Sequence, residues 1–423
     1  MNSPAADSIR HVVTFRFVIS LSLPSINSEC GIIPSAAWKC AMLLKSQRAA
    51  QALPAWLHAK SVAQVRAGWV DWTNRSASVS QSVIYSCPFV PAEWVAAHGL
   101  RPCRAAPERS ACLPGRGLPE GLCAFAGQWL LELRRRQGRA LAAVLTTVCD
   151  QMRRLGDLAE PECDLPVFVL HVPHTWQSPT ARRIYADELR RLGRFLVRLG
   201  GREPSRSELA DTIRRFDDAR RELLGLRGNL SPRAFAQALA DFAREPLDCD
   251  LQAVSVKSTI DNRQSSIPLA LLGGPIMRGD EWIYDEVDEL GGRIVLDVTE
   301  TGELGLPGPI DRRRLAEDPL EELVTAYLDH IPHPFRRPNT EFYVFLAREL
   351  VGRGVQGVLF RRYVWCDTWH GELARLREWA EKLVPGRPIP VVDLDCGQSG
   401  GDRGRILQRV QAMIETLQQT PGA

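Results

Sequence analysis

The sequence is short of lysine, of nucleotide-binding glycine loops and of long apolar runs. Only five of its 53 basic residues are lysines, and 50 acidic residues offset them to leave a net charge of +3. That near-balance gives no electrostatic case for nucleic acid. The arginine excess reads as a genomic composition bias, and the interleaving of arginines with acids between Glu188 and Arg198 reads as a solvated helix face. There is no G-x4-G-K-S/T loop, no H-E-x-x-H and no G-x-S-x-G, which argues against an ATP site, a zinc protease and a serine hydrolase. Gly273-Gly274-Pro275 follows an apolar run but lacks the spacing of a dinucleotide fingerprint. No stretch approaches the roughly 20 apolar residues of a membrane span. The apolar run from Phe15 to Leu23 is short and broken by Arg16, so no secretory signal is expected. A cytoplasmic location is therefore expected, where cysteines stand for metal, catalysis or core filling rather than disulfides.

What is present is a chain of 423 residues, 45% hydrophobic and 24% charged, long enough for two or three domains with their own cores. Residues 1–75 read as an N-terminal extension, partly disordered and then helical over 41–70. Beyond it, short apolar runs alternate with helical patterns. The runs are Val83–Ser86, Ala142–Val148, Pro166–Val172, Ile267–Gly274, Arg293–Val298, Val355–Phe360 and Ile389–Leu394. Continuous apolar runs of this length fit strands buried on both faces, and their alternation with helices predicts parallel βαβ sheets. The fold class expected is α/β, with two flavodoxin-like lobes at 76–201 and 256–423 and a helical segment at 202–255 between them. Helix starts are signposted by Ser178-Pro179, by the Ser205/Glu208 capping box and by Ser231-Pro232. The first of these helices is expected to turn Ile184, Leu189, Leu192 and Leu196 inward.

Mapped onto that layout, three of the eleven cysteines fall just past a strand: Cys87, Cys149 and Cys366. Cys123 falls at a helix start. Open parallel sheets place their ligand sites at the strands' carboxyl ends, where loops converge from distant sequence positions. Taken one at a time, each of these cysteines reads more simply as a small buried hydrophobe, as do Cys30, Cys40, Cys103, Cys112, Cys163, Cys249 and Cys396. No C-x2-C knuckle and no C-x2-C-x2-C run occurs, so spacing alone indicates neither a zinc ribbon nor a ferredoxin. His171 and His174 flank Pro173 after a strand and are read as cleft-lining or solvent-facing.

Several segments carry a family likeness. Tyr85-Ser-Cys-Pro-Phe-Val-Pro-Ala-Glu-Trp94 resembles the F-C-S-Y-V-P-E-E segment of the 2-hydroxyacyl-CoA dehydratase and benzoyl-CoA reductase family. Leu122-Cys123 resembles its second cysteine segment, and Thr147-Val-Cys-Asp-Gln-Met-Arg-Arg154 is similar to its S-C-D-x-M-R-R. Gly273-Gly-Pro275, Leu290–Asp297 and Trp365-Cys366-Asp367 follow in the same order. The likeness spans residues 80–420.

The resemblance implies a D-component-like subunit of a hydro-lyase that removes water from a 2-hydroxyacyl-CoA to give a 2-enoyl-CoA by a ketyl-radical mechanism. It implies a 4Fe-4S cluster between the lobes, with Cys87, Cys123 and Cys366 as ligands and Cys149 as a fourth candidate. Its partners would be an acyl-CoA substrate, a separate ATP-dependent electron-donating activator, and a related second subunit or a second copy. The family's tandem acid is reduced here to Pro91-Ala92-Glu93. Glu93 reads as a general acid/base or, more simply, as a helix-opening acid stabilised by the helix dipole. Arg361 and Arg362 read as binders of CoA phosphates or as surface salt-bridge partners. A ring-reducing benzoyl-CoA reductase subunit, a non-catalytic scaffold subunit and a cluster-free α/β binding protein are the competing readings.

Overall fold

The computed structural model describes residues 82–110, 119–248, 266–397 and 402–419, all within the unit Trp72–Ala423. The expectations for 1–75, and for Cys30, Cys40, Cys112 and Cys249, lie outside the described residues. Two four-stranded, all-parallel sheets are present. The first contains β1 (Ser82–Tyr85), β2 (Arg101–Arg104), β3 (Ala142–Thr146) and β4 (Val167–Leu170), in the order β2-β1-β3-β4. The second contains β5 (Ile267–Gly273), β6 (Gly292–Thr299), β7 (Gly357–Tyr363) and β8 (Val391–Cys396), in the order β6-β5-β7-β8. The two orders are the same, and match the start of a flavodoxin-type sheet.

All seven apolar runs became strands. The eighth strand, β2, carries no such run. Arg101-Pro-Cys-Arg104 is held in parallel register against β1 at the sheet's edge, where proline's missing N–H is tolerated.

In the first lobe, α1 (Ala92–Ala97), α2 (Ala124–Arg136), α3 (Asp150–Glu162) and α4 (Pro179–Arg198) cover the sheet. Alternate strand residues face opposite sides, as the pleat requires. Ile84, Ala143 and Leu145 meet Trp129 and Leu155 of α2 and α3. Val83, Tyr85 and Val144 meet Tyr185 and Leu189 of α4. Ser178 caps α4 by accepting from the Ala181 N–H, and proline occupies its first turn. Leu189, Leu192 and Leu196 are fully buried as expected, but Ile184 is 39% exposed and Tyr185 takes its place inward at the start of the stripe. The Ser205/Glu208 capping box opens α5 (Arg206–Gly225), and Ser231 caps α6 (Pro232–Arg244).

In the second lobe, α7 (Trp282–Glu289) and α13 (Arg403–Gln419) pack on one face. On the other face lie α10 (Thr340–Gly352) and α12 (Leu373–Leu383). The short helices α8 (Arg312–Glu317), α9 (Pro319–Val324) and α11 (Asp367–His370) lie among the connections, and α9 runs on into a π-helical turn at Thr325–Asp329. One core cluster contains Ile84, Leu145 and Trp129 of the first lobe together with Leu269, Leu271 and Val410 of the second. Each such fully buried aliphatic contributes about 1.5–3 kcal/mol, so the seam between the lobes is a packed core, with the carboxyl ends of both sheets around it.

Candidate functional site

In each sheet the strand order reverses between the first and third strands, and ligand crevices form at that point. Cys87 lies two residues past β1, and Cys149 three residues past β3. Cys366 lies three residues past β7, the counterpart of β3 in the second lobe, so Cys149 and Cys366 hold equivalent positions. Cys123 opens α2, the helix leading back from β2 to β3.

Cys123, Cys149 and Cys366 are all helix N-caps. The Cys123 Sγ accepts from the Ala126 N–H at 3.4 Å. At Cys149 and Cys366 the corresponding N–H groups, of Met152 and Trp369, face the sulfur and lower its pKa without completing a cap hydrogen bond. The turn that presents Cys366 is left-handed at Trp365, φ 69°, a costly conformation for a bulky residue. Cys87 is buried beside Thr146 at the end of β3. The Thr146 hydroxyl, which has no other partner, faces the Cys87 sulfur and lowers the thiol's pKa.

Burial outweighs these donors. It pushes Cys87 and Cys149 up to about 12 and Cys123 up to about 11, and raises Cys366 well above its usual value. The thiols also act on one another. Cys123 and Cys149 raise Cys366, and Cys123 and Cys87 raise Cys149. A cavity of about 420 Å³ is lined by Cys123, Cys149 and Cys366, with His171, His174 and Phe335 around it. Cys87 is not among its lining residues. Among the described residues no three His, Cys, Asp or Glu side chains converge tightly enough to hold a single metal ion; three of the thiols ring a volume instead.

Sequence reasoning missed Glu300. It follows the last residue of β6, and its carboxylate raises the pKa of all four thiols. Burial pushes its own pKa up, but His333, Trp369 and Arg104 hold it below the usual carboxylate value. Trp369 Nε1 donates to Glu300 Oε1 at 2.7 Å. The Phe335 N–H donates to His333 Nδ1 at 3.0 Å, and His333 Nε2 faces Glu300 Oε1 at 3.1 Å. Arg104 crosses from the first lobe and donates to the carbonyls of Ser86, Gly305 and Glu300. Its place at a strand's end was the one available signal, and β2 itself was not legible.

Glu93 is not at the cysteine cavity. It is fully buried in the first turn of α1, paired with Arg220 at 2.6 Å and accepting from the Tyr327 hydroxyl at 2.5 Å. Its place is that of a structural tie between α1, α5 and the π-helical turn. Nor are Arg361 and Arg362 open to a phosphate. Arg361 is buried against Asp280 and donates to the Pro275 carbonyl, and Arg362 forks onto Asp393 at 2.8–2.9 Å. The β7 pattern turned these side chains into the lobe, where a charge requires a partner. Cys103, Cys163 and Cys396 are buried elsewhere in the core.

Residues 87–417 match the family described as 2-hydroxyglutaryl-CoA dehydratase, D-component. The chain belongs to that family. All four cysteines fall inside the matched segment of this dehydratase component, and Cys87 is its first residue. The description is that of one component of a water-eliminating enzyme, which implies a partner component. No curated individual protein matches the chain. Among the described residues no helix is long and apolar enough to cross a membrane.

Proposed function

We propose that this dehydratase component is the cluster-bearing subunit of a 2-hydroxyacyl-CoA dehydratase. On this reading Cys87, Cys123 and Cys366 hold a 4Fe-4S cluster, with Cys149 as an additional or alternative ligand. The observation that carries the reading is the gathering of four thiols from both lobes, Cys87 and Cys123 buried and Cys149 and Cys366 half-buried, near the carboxyl ends of two parallel sheets. A four-iron cluster needs ligands around a volume rather than at a point, and sulfur donors with nearby N–H groups suit it. When bound, the cluster supplies one-electron chemistry and a Lewis-acidic iron.

The chain's own residues do the rest. The packed seam encloses Cys87 and Cys123, while Cys149 and Cys366 stay accessible from the cavity. With pKa values of about 11–12, the free thiols are protonated at neutral pH, so loading releases protons. Arg104 places a buried cation beside Cys87, favouring its thiolate. Glu300, held ionised by His333 and Trp369, is a carboxylate near enough to raise the pKa of all four thiols, and Asp150 and Asp367 line the cavity itself, whereas Glu93 is locked to Arg220. A separate ATP-hydrolysing electron donor and a related second subunit or second copy complete the reading, since the chain carries no phosphate loop of its own.

The test is iron and acid-labile sulfide content after oxygen-free purification. About four of each per chain is expected, followed by water elimination from a 2-hydroxyacyl-CoA once the electron donor is added. No iron after anaerobic reconstitution overturns the cluster reading.

A further inference from the structure

Two contact paths cross the seam and join the turn that carries Cys87 to the turn that carries Cys366. The first is polar. Arg104 ends β2, and its guanidinium donates to the carbonyl of Ser86, the neighbour of Cys87, at 2.9 Å. The same group donates to the carbonyls of Gly305 and Glu300 in the second lobe. This approach needs glycine at 305, because a β-carbon there would collide with the Glu300 carbonyl and the Arg104 guanidinium. The Glu300 carboxylate then accepts from the Trp369 indole at 2.7 Å. Trp369 closes the path, since its backbone N–H faces the Cys366 sulfur.

The second path is aromatic. Phe89, two residues past Cys87, meets the His333 ring edge-on at 5.8 Å, and His333 meets Trp369 at 5.6 Å. All three rings are buried. His333 also faces Glu300 at 3.1 Å, so both paths converge on the Glu300–Trp369 pair. Within the first lobe the tie is shorter. The Gln151 side chain, two residues past Cys149, accepts from the Cys123 N–H at 2.9 Å and donates to the Gly121 carbonyl at 3.2 Å. Losing one partner of a buried hydrogen bond leaves the other unsatisfied, so links of this kind hold geometry firmly.

We propose that Arg104, Glu300, His333 and Trp369 are positioning residues that brace the Cys87 turn against the Cys366 turn across the seam, while Gln151 clips the Cys123 turn to the Cys149 turn within the first lobe. The purpose of the brace rests on the reading of the thiols as a cluster site, where ligands held in place by their surroundings keep the metal. The brace itself exists in the metal-free chain.

The test has two readouts on the full chain. One is amide hydrogen exchange of the metal-free protein, resolved by peptide. The other is the rate at which a chelator removes iron from the anaerobically loaded protein. Arg104→Lys keeps the charge and loses the fork; Trp369→Phe keeps a buried ring and loses the indole N–H. Each should speed exchange about threefold or more in the cysteine turn of the opposite lobe, the size of one lost hydrogen bond, and should speed iron release. Glu300→Ala should do so at both turns. Glu300→Gln, which still accepts from the indole, should restore the wild-type exchange and iron release. Gln151→Ala should loosen the Cys123 turn and leave the Cys366 turn unchanged. Arg220→Met supplies a destabilised chain whose cysteine turns should not change. If Arg104→Lys does not fold, Trp369→Phe read at the Cys87 turn decides alone. Unchanged exchange in the opposite turn overturns the brace, as does a Glu300→Gln chain that behaves like Glu300→Ala. Uncoupled turns in a chain that binds full iron remove the brace and leave the cluster. Coupled turns in a chain that takes up no iron keep the brace and remove the cluster.

Discussion

The two lobes share one strand order but fill its equivalent positions differently. Three residues past the third strand, both place a cysteine, Cys149 and Cys366, each as a helix N-cap. Elsewhere they diverge. Two residues past the first strand, the first lobe has Cys87 and the second has Pro275, whose carbonyl accepts from Arg361 and from the Tyr363 hydroxyl. At the N-cap of the helix leading into the third strand, the first lobe has Cys123 and the second has Asn339, which is tied to Glu372 and Arg375. Past the second strand the second lobe has Glu300. The first lobe thus supplies most of the sulfur, and the second supplies the closing thiol, the carboxylate and a hydrogen-bonded back wall. A duplicated scaffold can hold an asymmetric site because the sheet fixes where loops end, while the residues at those ends remain free to differ.

The largest expected effects come from the sulfur-rich side. Cys87→Ala and Cys123→Ala should each lose the cluster, because each is one of the three ligands the reading assigns to it, while the far-ultraviolet spectrum stays native. A smaller loss that leaves a stable, fully loaded cluster would assign that residue to packing alone.

Next come the two buried ion pairs, one in each lobe. Arg220→Met leaves Glu93 uncompensated in the first lobe, and Asp280→Asn leaves Arg361 short of its partner in the second. Breaking one side of a buried pair costs about 3–5 kcal/mol, readable as a lowered denaturation midpoint. Because both pairs lie off the cavity, neither variant should change the iron content of the protein that remains folded.

Smaller still is the effect of Glu300→Gln. The carboxylate raises every thiol's pKa, so removing its charge lowers them, increases the thiolate fraction and speeds alkylation of the metal-free protein by about two- to tenfold at fixed pH. In the wild type the rate should climb as pH rises toward 9, because the folded thiols still hold their protons there. Rates that are already flat at neutral pH would contradict the raised values. The least effect is expected from Cys163→Ala, at the carboxyl end of α3 and not among the residues lining the cysteine cavity. It should retain full iron and cost about 1 kcal/mol or less.

Much of this scaffold was legible in the sequence because both-face burial writes strands as continuous apolar runs, and caps such as Ser205/Glu208 act locally. β2 was not legible, since an edge strand needs no apolar run and Arg101-Pro-Cys-Arg104 has none. The cysteines at strand ends were visible as positions, but their meeting was a matter of tertiary structure. Glu300 was invisible for the same reason: nothing local marks an acid that becomes important through His333, Trp369 and an arginine from the other lobe. Arg361 and Arg362 were read as phosphate binders or surface salt-bridge partners; they do form salt bridges, but they point to opposite faces of a sheet covered on both sides, so the pairs lie inside the lobe and not on its surface. Asp280 and Asp393, which receive them, lie 81 and 31 residues away in sequence.

The most direct measurement of the shared site is the iron and labile sulfide content of Cys366→Ala, purified without oxygen beside the wild type. Cys366 is the thiol the second lobe brings to the cavity. Loss of the iron, with native circular dichroism, is the predicted result. Full, stable iron in Cys366→Ala would mean that the first lobe holds its metal alone, and the claim of a site shared across the seam would fail.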